Sequence, residues 1–373
     1  GADDLTINAN VTATGGNGAI NLYAGDTITQ GGVPVPSVIS AAGTGTILLS
    51  AGTNYNSGTQ LNGNAAGNIS MTDGAQITAE AGNISLLAPG SIALATVSTG
   101  SVGDVTVTAD YDGVGVGLSN SVGAITDNNG AETANITGDQ LTLSAATGIG
   151  AAAAADIDTT IGTLTATNLT SGDIYVQETN GLIIGGAGVL TQGADGNINI
   201  DVNAGNLDVN SVVTANGSGM ITLNADAGTV DINAVVSSTT GNIDIDGDII
   251  TQDDDITTGG AGVVTVDADA GAITMADLMT TTSDTGSISY AATTDVALSL
   301  LTSTSGALNV TAGSISDLTA LENANLVTTG TATLMAATGI GAAAAADIDP
   351  TIGTLTATNS TTGYFYVQAT NRL

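Results

Sequence analysis

Apolar and polar residues alternate along most of the chain, and the alternation is phrased. Ile198, Ile200 and Val202 are aliphatic while their neighbours are polar. The same pattern returns at Ile221, Leu223 and Ala225, at Ile243 and Ile245, and at Val264, Val266 and Ala268. A period of two is the signature of a strand with one buried face. Each run opens on a glycine two residues ahead of its first aliphatic, at Gly196, Gly219, Gly241, Gly262, Gly286, Gly306, Gly330 and Gly353, in steps of 23, 22, 21, 24, 20, 24 and 23 residues. Steps of this size match one turn of a stacked-coil protein.

Two further apolar pairs follow inside each period. Leu207 and Val209, Val230 and Ile232, and Ile273 and Met275 predict a second strand. Val212-Val213, Val235-Val236 and Leu278-Met279 predict a third. Gly, Asn, Asp, Ser and Thr fill the intervals, and these are residues that accept left-handed backbone or bond their own main chain. The expected fold is all-β: a parallel β-helix, or β-solenoid, of three short strands per coil and about 20–24 residues per coil. It is taken as right-handed by analogy with parallel crossovers.

Before Gly123 the anchors are less even, at Gly18, Gly45, Gly67, Gly82 and Gly103. Pro34 and Pro36 fall in the longest gap. Proline cannot donate to a central ladder, so a loop is expected there. A second loop is expected from Asp110 to Ser121, carrying Tyr111. Five alanines, Ala151 to Ala155, read either as one helical turn or as a narrow strand where the coil pinches, the strand being preferred. The text around them recurs. Residues 123–180 return as 313–371, offset by 190 to 191 residues, with Pro350 for Thr159 and Tyr364-Phe365 for Asp173-Ile174. The expectation for residues 1–373 is one continuous solenoid segment of a longer array, built in part by this duplication.

Composition agrees with a narrow core. The chain of 373 residues has 52 Gly, one Phe and no Trp, whereas a broad globular core normally buries several large aromatics. Charge narrows the partners. There are 35 Asp plus Glu against a single basic residue, Arg372, giving a net charge of −34. Nucleic acid and anionic membrane surfaces are excluded as partners, because a single basic residue cannot neutralise a row of phosphates. Membrane insertion is not expected either, since no apolar run is long enough to span a bilayer. With no cysteine there is no disulfide framework. The start, Gly1-Ala2-Asp3-Asp4, carries no signal region and reads as internal or processed.

Ala145-Ala-Thr-Gly-Ile-Gly150, Leu164-Thr-Ala-Thr167, Gly172-Asp-Ile-Tyr-Val176, Gly82-Asn-Ile-Ser-Leu86 and Gly306-Ala-Leu-Asn-Val310 together resemble the repeats of filamentous-haemagglutinin-type large exoproteins. The resemblance implies a right-handed parallel β-helix at the bacterial cell surface, extracellular, with a fibre-forming or adhesive role. It carries over no catalytic residues.

The chemistry that remains is acidic. Aligned coils place Asp201, Asn224, Asp246 and Asp267 in one outward column and Asn203, Asp226, Asp248 and Asp269 in the next. Charges about 4.8 Å apart repel by roughly 1 kcal/mol in water. The face is read first as solvated and screened by salt. The second reading is a ladder of oxygen ligands for calcium at Asp246, Asp248, Asp267 and Asp269. Asp244-Ile-Asp246-Gly-Asp248 resembles part of a calcium loop without its closing Glu. No cofactor is otherwise required.

An enzyme is not expected. A polysaccharide-cleaving site needs two carboxylates in a cleft, usually with aromatic or basic sugar-binding groups, and the chain lacks His and Trp. The threonine rows and the phrase Gly185-Gly186-Ala-Gly188 read as strand and turn residues, not as an ice-binding face or a phosphate loop. The Asn-x-Ser/Thr phrases at Asn68, Asn83 and Asn359 read as turn chemistry. Expected partners are other copies of the chain, end to end in a filament. The alternative is an adhesin for cell-surface or matrix glycans, with specificity in the loops near Pro34 and Tyr111.

Overall fold

The computed structural model describes residues 3–32, 36–54, 59–60, 67–111, 121–193, 195–319, 323–343 and 346–369. Among them every regular element is a strand. The chain divides into two compact units, Gly1–Gly196 and Asn197–Leu373. Each is a parallel β-solenoid with three columns of strands around an aliphatic interior.

In the second unit the first column runs Ile198, Ile221, Ile243, Val264, Ile288, Leu308, Ala332 and Leu355, each paired in register with the next. These are the residues two positions after each repeat glycine, so the spacing of the phrase is the register of the stack. The second column is Leu207, Val230, Ile250, Ile273, Val296, Ile315 and Ile340. The third is Val213, Val236, Ile256, Thr281, Leu301 and Leu326. Nearly all are fully buried, and each Ile, Leu or Val so placed stabilises the fold by about 1.5–3 kcal/mol. One expected strand differs. Leu278 has a left-handed backbone (φ 71°) and is 65% exposed; the strand is Thr280–Ser283, and it turns Thr281 inward in place of Met279. Buried Thr281 belongs to a polar knot in which the Tyr290 hydroxyl donates to Gln252 Oε1 (2.6 Å) and Gln252 Nε2 donates to Thr281 Oγ1 (3.1 Å). Hydrogen bonding therefore replaces aliphatic packing there.

Close approach explains the repeat glycine. A Cβ on Gly286 would lie 1.9 Å from the Gly262 carbonyl oxygen, one on Gly306 1.8 Å from that of Gly286, and one on Gly241 2.0 Å from that of Gly219. Each anchor stacks directly on the one a coil earlier, leaving no room for a side chain. An inward hydroxyl fastens the stack. Ser303 Oγ donates to the Gly286 carbonyl (3.0 Å) and accepts from the Gly306 N–H (2.9 Å). Ser238 does the same between Gly219 and Gly241. Thr258, Ser283 and Thr328 donate to Gly241, Gly262 and Gly306. Asparagine adds an outer tie. Asn197, Asn242, Asn83 and Asn68 use Oδ1 to accept the N–H of Met220, Val263, Asp104 and Ser91, one coil on.

In the first unit the columns are Leu5, Ile28, Ile69, Ile92 and Ile125; Val11, Ile39, Ile77, Val97 and Ile136; and Ile20, Ile47, Ile84, Val105, Leu141 and Leu164. The uneven glycine spacing follows from this. Gly67 and Gly82 open different faces of one coil, so the interval between them is not a coil length. The loop expected around Pro34 lies outside the described residues; on either side of residues 33–35 the Ser37 N–H donates to the Gly31 carbonyl (3.1 Å). Asp110 and Ser121 both adopt left-handed backbone on either side of residues 112–120, which also lie outside them. The alanine run is neither a helical turn nor a strand. Ala151 and Ala155 form an antiparallel bridge, with the Ala151 N–H donating to the Ala155 carbonyl (2.7 Å), and Ala152–Ala154 make an exposed turn. Ala153 sits at φ 58°. Small side chains suit a reversal this tight.

Candidate cation-binding face

Strands Ile198–Val202, Ile221–Ile232, Ile243–Gln252 and Val264–Ala268 bring Asp201, Asn224, Asp246 and Asp267 into one register. Asn203, Asp226, Asp248 and Asp269 each follow the last residue of that register on their coil. The phrase Asp244-Ile-Asp246-Gly-Asp248 is extended strand, not a loop wrapped around an ion, so its aspartates meet acidic neighbours on adjacent coils as well as one another.

The electrostatics show which of them act together. Burial pushes the Asp246 carboxyl up to about 6, reinforced by Asp269, Asp267, Asp244 and Asp226. Asp267 is also raised, by burial first and then by Asp269 and Asp244. Thus Asp246, Asp267 and Asp269 form a mutually repelling set, with Asp244 beside it. Where the ladder carries Asn224 the repulsion is relieved, since its Nδ2 donates to Asp201 Oδ1 (2.9 Å) and Asp226 Oδ1 (2.7 Å). Among the described residues no amide takes that role at Asp246. Two things relieve such a set: a proton taken up near neutral pH, or a cation.

Three comparisons, with family models, curated proteins and solved structures, return no match for this chain.

Other acidic turns are satisfied within the fold. In Asp253-Asp254-Asp255, Asp255 Oδ1 accepts from the Thr280 N–H (2.8 Å) and hydroxyl (3.0 Å). Glu178 is fully buried; its carboxylate accepts from the Thr159 hydroxyl (2.7 Å), the Ile161 N–H (3.1 Å) and the Asn180 N–H (3.1 Å), while burial raises its affinity for a proton. Gly185 and Gly186 lie in the strand Leu182–Thr191, against the side chains of Thr163 and Thr165. An open groove of about 490 Å³ lined by Gly100, Thr137, Asp139, Thr160 and Asn180 contains one carboxylate, where glycoside hydrolysis uses two. Asn135 and Asn168 head Asn-x-Thr phrases but are buried, which removes them as glycan acceptors.

The sequence reading did not single out one acidic group. Glu132, Asp156 and Asp158 bring their carboxylate oxygens within 4.8 Å of one another. The signal was available in the duplication: Asp156-Ile-Asp158 recurs as Asp347-Ile-Asp349, and Glu132 recurs as Glu322.

Proposed function

We propose that this chain is a structural, non-catalytic β-solenoid of an extracellular bacterial surface fibre, and that copies associate by adding coil to coil. The observation that carries the reading is the in-register parallel stack of the second unit, in which each coil from Ile198 to Leu355 is the template for the next. Wherever such a stack stops, its last strands offer unpaired main-chain groups to another parallel strand, and the occupant that fits is a further coil of the same repeat, supplied by another copy. The resemblance of the repeats to filamentous-haemagglutinin-type exoproteins supports the same reading.

Charge sets the conditions. At a net −34, copies repel one another until salt or divalent cations screen them. In this reading the aspartates Asp246, Asp248, Asp267 and Asp269 hold calcium as counter-ions on the fibre wall. Sedimentation velocity combined with electron microscopy tests the proposal. Association is expected to rise with protein concentration and with salt, giving thin filaments. A chain that stays monomeric at millimolar concentration in high salt would overturn the proposal.

A further inference from the structure

Five asparagines precede a glycine: Asn17, Asn62, Asn129, Asn180 and Asn216. Asn62 lies outside the described residues. In such a pair the glycine nitrogen can attack the side-chain amide of the asparagine, because no Cβ shields the approach, and asparagine is accordingly a heat-labile residue. Sequence ranks the pairs equally. The structure separates them.

At Asn216 the attacking atom already faces its target. The Gly217 N–H donates to Asn216 Oδ1 (2.9 Å), so the nitrogen lies against the carbonyl it would attack. Hydrogen bonds from the coil above fix the turn in this arrangement. Gly217 holds left-handed backbone (φ 64°), and its carbonyl accepts from the Thr240 N–H (2.8 Å) and hydroxyl (3.0 Å). The Gly219 N–H donates to the Asn216 main-chain carbonyl (3.3 Å). The Thr239 hydroxyl donates to Asn216 Oδ1 (3.2 Å), the atom on which negative charge develops as the nitrogen adds. Asn216 and Thr239 are both exposed, so water reaches them.

The other described pairs are arranged differently. The Gly18 N–H is spent on the Gly15 carbonyl (2.8 Å). Asn129 Nδ2, the group that would leave, is tied to the carbonyls of Thr133 (3.2 Å) and Ala95 (3.4 Å). Among the described residues, Gly217 is the glycine whose N–H meets the side chain of the asparagine before it. Holding reacting atoms together in this way replaces a search through conformations with a fixed approach.

We infer that Asn216-Gly217 is a site of self-modification, at which the side chain closes on the main chain and releases ammonia. Hydroxide takes the Gly217 N–H proton, the nitrogen bonds to Asn216 Cγ, and the Cγ–Nδ2 bond breaks as Nδ2 takes a proton from water. The product is a succinimide ring. Water then adds to one ring carbonyl and breaks its bond to the nitrogen. Addition at Cγ gives aspartate, and addition at the main-chain carbonyl gives isoaspartate, in which the backbone runs through the former side chain. Either product adds a carboxylate to a chain already at −34. Isoaspartate also lengthens the turn leading into Gly219, against whose carbonyl Gly241 is stacked.

Peptide mapping by mass spectrometry tests this on the folded 373-residue chain, held in warm, mildly alkaline buffer and digested with pepsin in acid, which halts the reaction. Asn216 is expected to gain one mass unit at least fivefold faster than Asn17 or Asn129, with isoaspartate among the products. In urea that lead is expected to vanish, since only the shared Asn-Gly sequence remains. Thr239→Val, an exposed change, is expected to slow the reaction at Asn216 at least threefold with the circular dichroism unchanged. Modification of Asn216 no faster than that of Asn17 and Asn129, a lead that survives unfolding, or an unchanged rate in Thr239→Val would overturn the assignment. None of these results bears on whether the chain forms fibres.

Discussion

At the scale of single residues, the repeat glycines matter for the space they leave, not for their backbone freedom. Gly286 has no left-handed backbone, yet a methyl group there would overlap the Gly262 carbonyl. Gly286→Ala is expected to destabilise the chain by roughly 3 kcal/mol or more, because the obstacle is backbone and cannot turn aside. Gly15→Ala, with nothing within 4 Å of its Cβ, is expected to change stability by no more than about 0.5 kcal/mol. Chemical denaturation of the pair checks both. Ser303→Ala leaves the Gly286 carbonyl and the Gly306 N–H without their shared hydroxyl, at an expected cost of about 1–3 kcal/mol. The glycines were legible in the sequence. The hydroxyls were not, because an inward Ser at the end of a strand looks the same as a Ser in a turn until the carbonyl it meets, a coil away, is known.

At the scale of elements, the spacing of the glycine phrase located the first column of the second unit residue by residue, because one inward position repeats whatever the turns do. It was less reliable in the first unit, where Gly67 and Gly82 serve different faces, and in the coil where Thr281 replaces an aliphatic. The alanine run misled because its propensities describe helix and strand, whereas what the site needs is a small residue able to reverse the chain. The acidic columns were also legible, since register follows from the repeat. The Glu132 group was not, because it depends on a bend folding back across the next coil. Buried Asn135 accepts the Asp158 N–H at Oδ1 and donates its own N–H to the Asp158 carbonyl, and Asn325 builds the same frame with Asp349, so Asn135→Ala is expected to cost about 1–3 kcal/mol for each buried group left unmet, with a similar loss for Asn325→Ala. Thermal melts of the two variants compare the duplicated frames directly. The duplicates also diverge in matched pairs: Thr159 and Glu178 share a hydrogen bond, and Pro350 and Ala369 replace both. Removing donor and acceptor together leaves neither orphaned.

For the molecule as a whole, the shifted carboxyls act in one direction. Asp158 and Asp246 are both raised to about 6, and Asp208, Asp244, Asp267 and Glu178 are raised as well. A carboxyl that binds its proton more tightly when folded destabilises the fold as it ionises. Stability is therefore expected to fall as pH rises from about 4 to about 6 and to level off above that. Melting temperatures across that range check the sign, and Asp246→Asn is expected to flatten the slope. The function proposed here, a fibre extended coil by coil, requires that each coil of a unit climb one strand spacing in the register set by the glycine phrase. Pulsed electron spin resonance measures that climb within the second unit, because the chain has no cysteine of its own. Labels are placed in pairs on the outward column Asn199, Thr222, Asp244, Thr265, Ser289, Asn309, Thr333 and Thr356. From Asn199 the separation is expected to be about 19 Å at Ser289 and about 34 Å at Thr356, growing by about 4.8 Å per coil. Distances that fail to grow with coil number, or that grow only when the labels are moved one residue out of this register, would contradict the stack.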